Sequence, residues 1–153
     1  MTPRIGTPPE PGRRYTLRPG VYAILPRNGR LLLTLQADPG PEVQLPGGGI
    51  DPGEHPLSAL HREVFEETGW RIARPRRLGA FRRFTFMPEY DLWAEKLCVI
   101  YMAQPVRPHG PPIEAGHTAI WRSPDVAVQE LGNRGDSGFV RQFCLRDVRA
   151  WRP

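Results

Sequence analysis

The stretch LPGGGIDPGEHPLSALHREVFEETGW, residues 45–70, gathers acidic side chains at spacings that suit metal chemistry. Glu63, Glu66 and Glu67 stand at i, i+3 and i+4, so a helix would place them together, where like charges repel. Cations among them would remove that repulsion. Mg²⁺ is a hard ion that takes oxygen ligands and keeps part of its water shell. Two or more such ions could bridge a diphosphate and activate a water. Catalysis at phosphorus is mostly positioning and charge neutralisation, which such a cluster would supply. The plainer reading of the glutamates is a solvated helix face, and of Arg62 an i, i+4 surface pair with Glu66.

Elements must be found that hold these residues in place. Pro56 to Thr68 is the clearest helix, because Pro56 suits a first turn and Gly69 the left-handed position after the last. Leu57, Leu60, Val64 and Thr68 share one face at 100° per residue, and the three glutamates lie on another side. Tyr15–Leu25 reads as extended chain interrupted at Pro19–Gly20. Asn28–Gly29 marks a hairpin turn, followed by the buried strand Arg30–Gln36. Val43–Leu45 is a short strand running into the glycines. Arg77–Phe86 and Trp93–Gln104 read as strands joined by the hairpin loop Met87–Asp91. Arg107–Gly116 is a proline-rich loop, Thr118–Trp121 a short strand, and 124–131 and 138–149 are helices. The order predicts one mixed α/β domain over 15–153, preceded by a flexible arm over 1–14.

The spacing is more specific than the acidic cluster alone. Gly48, five residues, Glu54, seven residues, Arg62-Glu63-Val64, one residue, Glu66-Glu67, one residue, Gly69-Trp70 resembles the Nudix box, Gly-x5-Glu-x7-Arg-Glu-U-x-Glu-Glu-x-Gly-U, with U a bulky aliphatic residue. Every polar and glycine position matches; Trp70 replaces the usual Ile, Leu or Val. The preceding Leu45-Pro46-Gly47-Gly48-Gly49 is also typical of that family. The resemblance implies an α/β/α sandwich with a mixed sheet, and Mg²⁺-dependent hydrolysis of a nucleoside diphosphate linked to another moiety, with Mn²⁺ an alternative ion. It implies that Glu63 and Glu67 ligate metal, with Glu66 close behind and the Gly47 carbonyl as a further ligand. Glu54 would stand behind the ligands or bind more weakly, and Arg62 would orient the box carboxylates.

The general base stays open between a box glutamate and a carboxylate from a later loop, among Glu89, Asp91, Glu95 and Glu114. His117 lies four residues before Trp121, near where relatives often place a late glutamate, and is a further candidate. Its plain reading is an ordinary loop histidine. Phe84 and Tyr90 could stack a base, and Arg82 and Arg83 could reach phosphates. Pro88 and Tyr90 lie eighteen and twenty residues past Trp70. Neither offset matches the downstream markers of ADP-ribose or dinucleoside polyphosphate hydrolases. Nucleoside triphosphates, nucleotide sugars and ADP-ribose all stay open. The alternatives are a ligand sensor of the same fold without catalysis, and an RNA 5′-end pyrophosphohydrolase.

The whole chain sets outer bounds. Its 153 residues suffice for one core. No run approaches the roughly 20 apolar residues of a membrane-spanning helix. The start, MTPRIGTPPEPGRR, lacks the apolar core of a secretory signal, and Cys98 and Cys144 read as free thiols, which suits the cytoplasm. Net charge is +5, and 20 of the 21 basic residues are arginine. Arginine forks suit phosphate, although a GC-rich genome would give the same bias. Their scatter argues against a nucleic-acid module. The expected partner is a small nucleotide, and the dimerisation common among relatives extends here only as an expectation.

Overall fold

The computed structural model describes residues 2–145, so the end of the helix expected over 138–149 lies outside the described residues. The strands are β1 (Thr16–Ile24), β2 (Pro26–Arg27), β3 (Arg30–Gln36), β4 (Glu42–Gln44), β5 (Gly47–Gly49), β6 (Trp70–Met87), β7 (Leu92–Pro108) and β8 (His117–Arg122). Helix α1 (Pro56–Thr68) lies between β5 and β6, and α2 (Pro124–Glu130) and α3 (Arg134–Val140) follow β8. One sheet runs β5-β1-β7-β6, with β1 and β7 parallel and the other pairs antiparallel. In the other, β3 pairs with β2, β4 and β8, all antiparallel.

Alternation along the strands builds two cores, one on each side of the sheets. Val21 and Ala23 of β1, Leu32 of β3, and Tyr101 and Ala103 of β7 pack with Ala59, Leu60 and Val64 of α1. Their neighbours Ile24, Leu31, Leu33, Cys98 and Ile100 pack instead with Ala127, Val128 and Val140 of α2 and α3. The result is the expected α/β/α sandwich with mixed strand directions. A fully buried leucine such as Leu60 contributes about 2 kcal/mol.

Helix α1 keeps the predicted limits. Gly69 closes it in the left-handed conformation (φ 76°), its N–H donating to the Phe65 carbonyl at 2.8 Å. His55 caps the start: its Nδ1 accepts the Leu57 N–H at 3.1 Å. Strand β1 runs unbroken through Pro19, because β5 pairs only with Gly20–Tyr22 and the proline falls beyond that ladder. Met87–Asp91 turns the hairpin as expected, through a 3₁₀ turn at Pro88–Tyr90. The helix expected to begin at 138 is already under way there, since α3 starts at Arg134 behind the cap Asn133. The arm is tied to the edge of β6: Arg82 N–H donates to the Pro3 carbonyl at 2.8 Å and Ile5 N–H to the Arg82 carbonyl at 2.9 Å. This pairing covers part of an edge that would otherwise lie open.

Candidate active site

The glycine strand β5 lies against α1, and both sides of the contact depend on that fit. Gly47 N–H donates to Glu67 Oε1 at 2.8 Å. A Cβ on Gly48 would stand 2.5 Å from the Glu63 carboxyl, so only glycine lets that side chain lie flat on the strand. Glu67 is 5% exposed and Glu63 half-buried, while Glu66 sits farther out along the same helix.

Arg62 ties these carboxylates together. Its Nε and one terminal nitrogen each bond Glu54 at 2.8 Å, a two-point fork. The other terminal nitrogen reaches Glu63 at 2.9 Å and Glu66 at 3.4 Å. The first also donates to the Gly49 carbonyl at 3.2 Å. Glu54 in turn accepts the Asp51 N–H at 3.0 Å. These bonds, the Arg62 fork first, lower the Glu54 carboxyl to about 2. The plain reading of Arg62 as a surface pair with Glu66 understates it, because Glu66 is its most distant hydrogen-bonded carboxylate.

Two segments far along the chain complete the cluster. The loop after β7 is clamped to the end of α1. His109 N–H donates to the Gly69 carbonyl at 2.8 Å, and the N–H groups of Ile113 and Glu114 both donate to the Glu66 carbonyl, at 3.0 and 2.9 Å. The clamp carries the Glu114 carboxylate to the box. His117 is the first residue of β8, paired with Gln36, rather than a loop residue. Its ring is nearly buried; Nδ1 lies 2.9 Å from Thr34 Oγ1 and 3.4 Å from Glu67 Oε2. Two groupings have donor atoms all within 4.8 Å of one another: Glu63, Glu66 and Glu114, and Glu67, Glu114 and His117.

The donor set fits a divalent cation. It is dominated by carboxylate oxygen, the preference of hard ions, and glycine leaves Glu63 room beside the backbone. Burial drives the Glu67 carboxyl well above the usual carboxylate range, with the Gly47 N–H opposing and Glu63, Glu114 and Glu66 adding to the rise. Glu63 moves the same way, again mainly through burial, with Arg62 opposing. Anions crowded this closely are the arrangement that bound positive charge would stabilise.

The remaining sequence candidates have other partners. Arg82 bonds the Thr2 carbonyl at 3.2 Å and Glu95 at 3.2 Å. Phe84 meets Tyr15 edge-on at 4.9 Å, and Tyr90 lies under the Arg18 guanidinium at 4.5 Å. Glu95 pairs with Arg82, and Glu89 and Asp91 belong to the hairpin turn. Arg83 lines a second cavity of about 210 Å³ with Thr7, Asn133 and Arg134, and its Nε is buried without a hydrogen-bond partner among the described residues. For Gly47 the contact seen is through its N–H, to Glu67. Sequence reasoning passed over Thr34, since a threonine inside an apolar strand carries no signal until its partner His117 is known. It also passed over Asp136, 3% exposed near Arg83.

Comparison with known proteins adds the wider frame. The family model described as NUDIX domain matches residues 15–143. A NUDIX hydrolase from Nitrosomonas europaea superposes with a TM-score of 0.70 at 20% identity, covering 84% of this chain and 88% of that one. The MutT protein of Bacillus halodurans gives 0.67 at 21%, over 81% and 80%. At such identities the likeness concerns the fold. Among curated relatives, a putative 8-oxo-dGTP diphosphatase of Bacillus subtilis is 34% identical over 74 residues, 48% of this chain and 50% of that one. An RNA pyrophosphohydrolase of Bartonella tribocorum is 52% identical over 49 residues, 30% and 28%. The chain thus spans half or less of the length of these curated relatives. With a model match running from the start of the first strand into the last helical turn, and the box glutamates gathered as its spacing required, the chain belongs to the Nudix family.

Proposed function

We propose that the chain is a Mg²⁺-dependent diphosphatase that cleaves a diphosphate linkage in a nucleoside diphosphate derivative by attack of water at phosphorus. One observation carries the reading: Glu63, Glu66, Glu67, Glu114 and His117, from three separate segments, converge on one small volume beside a glycine strand. A sensor would have no need of that concentration of carboxylate. In this reading Glu63, Glu66 and Glu67 hold the cation, which would neutralise the diphosphate and make a bound water acidic. Mn²⁺, with similar oxygen preference, would substitute.

Glu114 is the general base in this proposal. It is the one loop carboxylate of the four candidates that the fold brings to the box, and it is exposed enough to meet a water from solvent. His117 stands behind it, Nε2 4.0 Å from the Glu114 carboxylate, while its Nδ1 lies 3.4 Å from Glu67 Oε2. Arg62 fixes the carboxylates against one another. The names of the curated relatives favour a nucleoside triphosphate or an RNA 5′ end as substrate, without choosing between them. The test is hydrolysis of a panel of nucleotides, nucleotide sugars and 5′-triphosphorylated RNA with Mg²⁺ and with Mn²⁺. At least one is expected to turn over, and Glu114→Gln to lower its kcat about 10²–10⁴-fold. A panel without products would overturn the enzyme reading; near-normal turnover in the variant would remove Glu114 from the base role.

A further inference from the structure

An open groove of about 530 Å³ lies on the outer side of α1, within the size range of ligand sites. Leu57, His61 and Phe65, four residues apart, line it from the helix, and Arg71 and Ile113 line it from the chain on either side. Glu66 and Arg62 belong to it as well, so the groove is continuous with the carboxylate cluster. The Arg71 guanidinium lies 3.8 Å over the Phe65 ring, and His109 meets the same ring edge-on at 5.8 Å. Arg71 forms no ion pair among the described residues, and the residue is exposed. A guanidinium laid on a ring keeps its other plane free, and such planes stack nucleobases while attracting phosphate.

We infer that this groove binds a second nucleotide unit of the substrate, with its base on the Arg71–Phe65 stack. The inference rests on the proposed diphosphatase reading for the phosphate chain itself. It goes beyond that reading in assigning a second nucleotide unit a place of its own. Ile113, 69% exposed at the rim, supplies an apolar edge for a ring and has no core role that would explain its exposure. The second unit could be attached in two ways: through a polyphosphate, as in a dinucleoside polyphosphate, or through a 3′-phosphodiester, as in the second residue of an RNA. Both present the same base and phosphate to Arg71.

Binding tests this without requiring turnover. Titrations of the Glu67→Gln protein with Mg²⁺ compare ATP, diadenosine tetraphosphate and a 5′-triphosphorylated diadenosine ribonucleotide. One of the two larger ligands is expected to bind about tenfold more tightly than ATP, and which one does so identifies the linkage. Arg71→Ala is expected to abolish that tenfold preference, and Arg71→Lys to restore only part of it, since an ammonium lacks the stacking plane. Amide signals of Phe65 and Ile113 should shift with the preferred ligand and not with ATP. Equal affinity for all three ligands overturns the inference, as does an Arg71→Ala effect equal on ATP and on the larger ligands. Concentration-dependent self-association that protects Phe65 and Ile113 also overturns it, by giving the groove to a second copy. A failed hydrolysis panel with the binding preference intact would count against the diphosphatase reading alone.

Discussion

Arg62 bonds three acidic side chains, and the geometry sorts them by what they need. Glu54 receives the fork and with it a carboxyl lowered to about 2, so it stays charged at any working pH. Glu63 and Glu66 share the remaining nitrogen and keep their outer oxygens free. Lysine has one point charge where arginine has a planar fork. Arg62→Lys should therefore keep the charge balance and lose the positioning: kcat down at least tenfold, with little change in the urea midpoint. A kcat within twofold of wild type would show that the cluster aligns itself. Glu67→Gln separates chemistry from stability in the other direction. Glutamine still accepts the Gly47 N–H, and it removes a buried charge that burial disfavours. Turnover should fall by about 10² or more, while the metal-free protein unfolds at the same or slightly higher urea concentration. A clear loss of stability would mean that the charge itself holds the strand to the helix.

At the scale of elements, α1 was legible almost residue by residue, because its ends are written in local chemistry. Proline at the first turn and glycine past the last are signals that need no tertiary partner. The loop from His109 to Gly116 was legible as a loop but its course was not, since that depends on carbonyls at the far end of α1. Gly69 links the two. A Cβ there would overlap the Gly110 carbonyl oxygen, quite apart from the positive φ. Gly69→Ala should cost about 1–2 kcal/mol from the left-handed conformation alone. Because the same glycine accepts the His109 N–H, the substitution should also loosen the segment that carries Glu114. Faster amide exchange at Ile113 and Glu114, with kcat lowered more than KM is raised, is the expected pattern. Unchanged exchange at those two amides would mean that the Glu66 carbonyl suffices as the anchor. The strands tell a similar story of local against distant causes. Leu31, Leu32 and Leu33 announced a strand buried on both faces, but nothing local announced that β8 would pair with β3 and bring His117 beneath Thr34.

For the whole molecule, the two-sided core leaves the site on the α1 side and places its buried Asp136 on the other. Sequence periodicity pointed to a mixed α/β domain, and the resemblance to the Nudix family implied the sandwich that alternation along β1, β3 and β7 builds. It did not reveal Asp136, since a carboxylate buried at the start of α3 looks like any polar helix start. Burial lifts its carboxyl to about 6, against opposing contributions from Arg83, the Leu45 N–H, Asn133 and Lys96. The unfolded chain releases that proton near pH 4. Between pH 4 and 6 the folded state therefore holds a proton that the unfolded state has lost, and acidification across this window favours folding. Glu63 and Glu67, also raised, act in the same sense in the absence of metal. Glu54 acts oppositely: its stabilisation is complete above about pH 4.5 and is lost as pH falls towards 2. Through Asp136 and Glu54, stability of the metal-free protein should then be greatest near pH 4.5, fall as pH rises to about 6, and stay lower from there to pH 8. Asp136→Asn removes one source of the decline. Urea midpoints measured from pH 4 to 8 should flatten in this variant, with a gain of about 1–3 kcal/mol at pH 8 if Asn keeps the Leu45 N–H bond. Profiles that stay parallel would place the origin of the slope in the carboxylate cluster, and adding Mg²⁺ should then be sufficient to remove it.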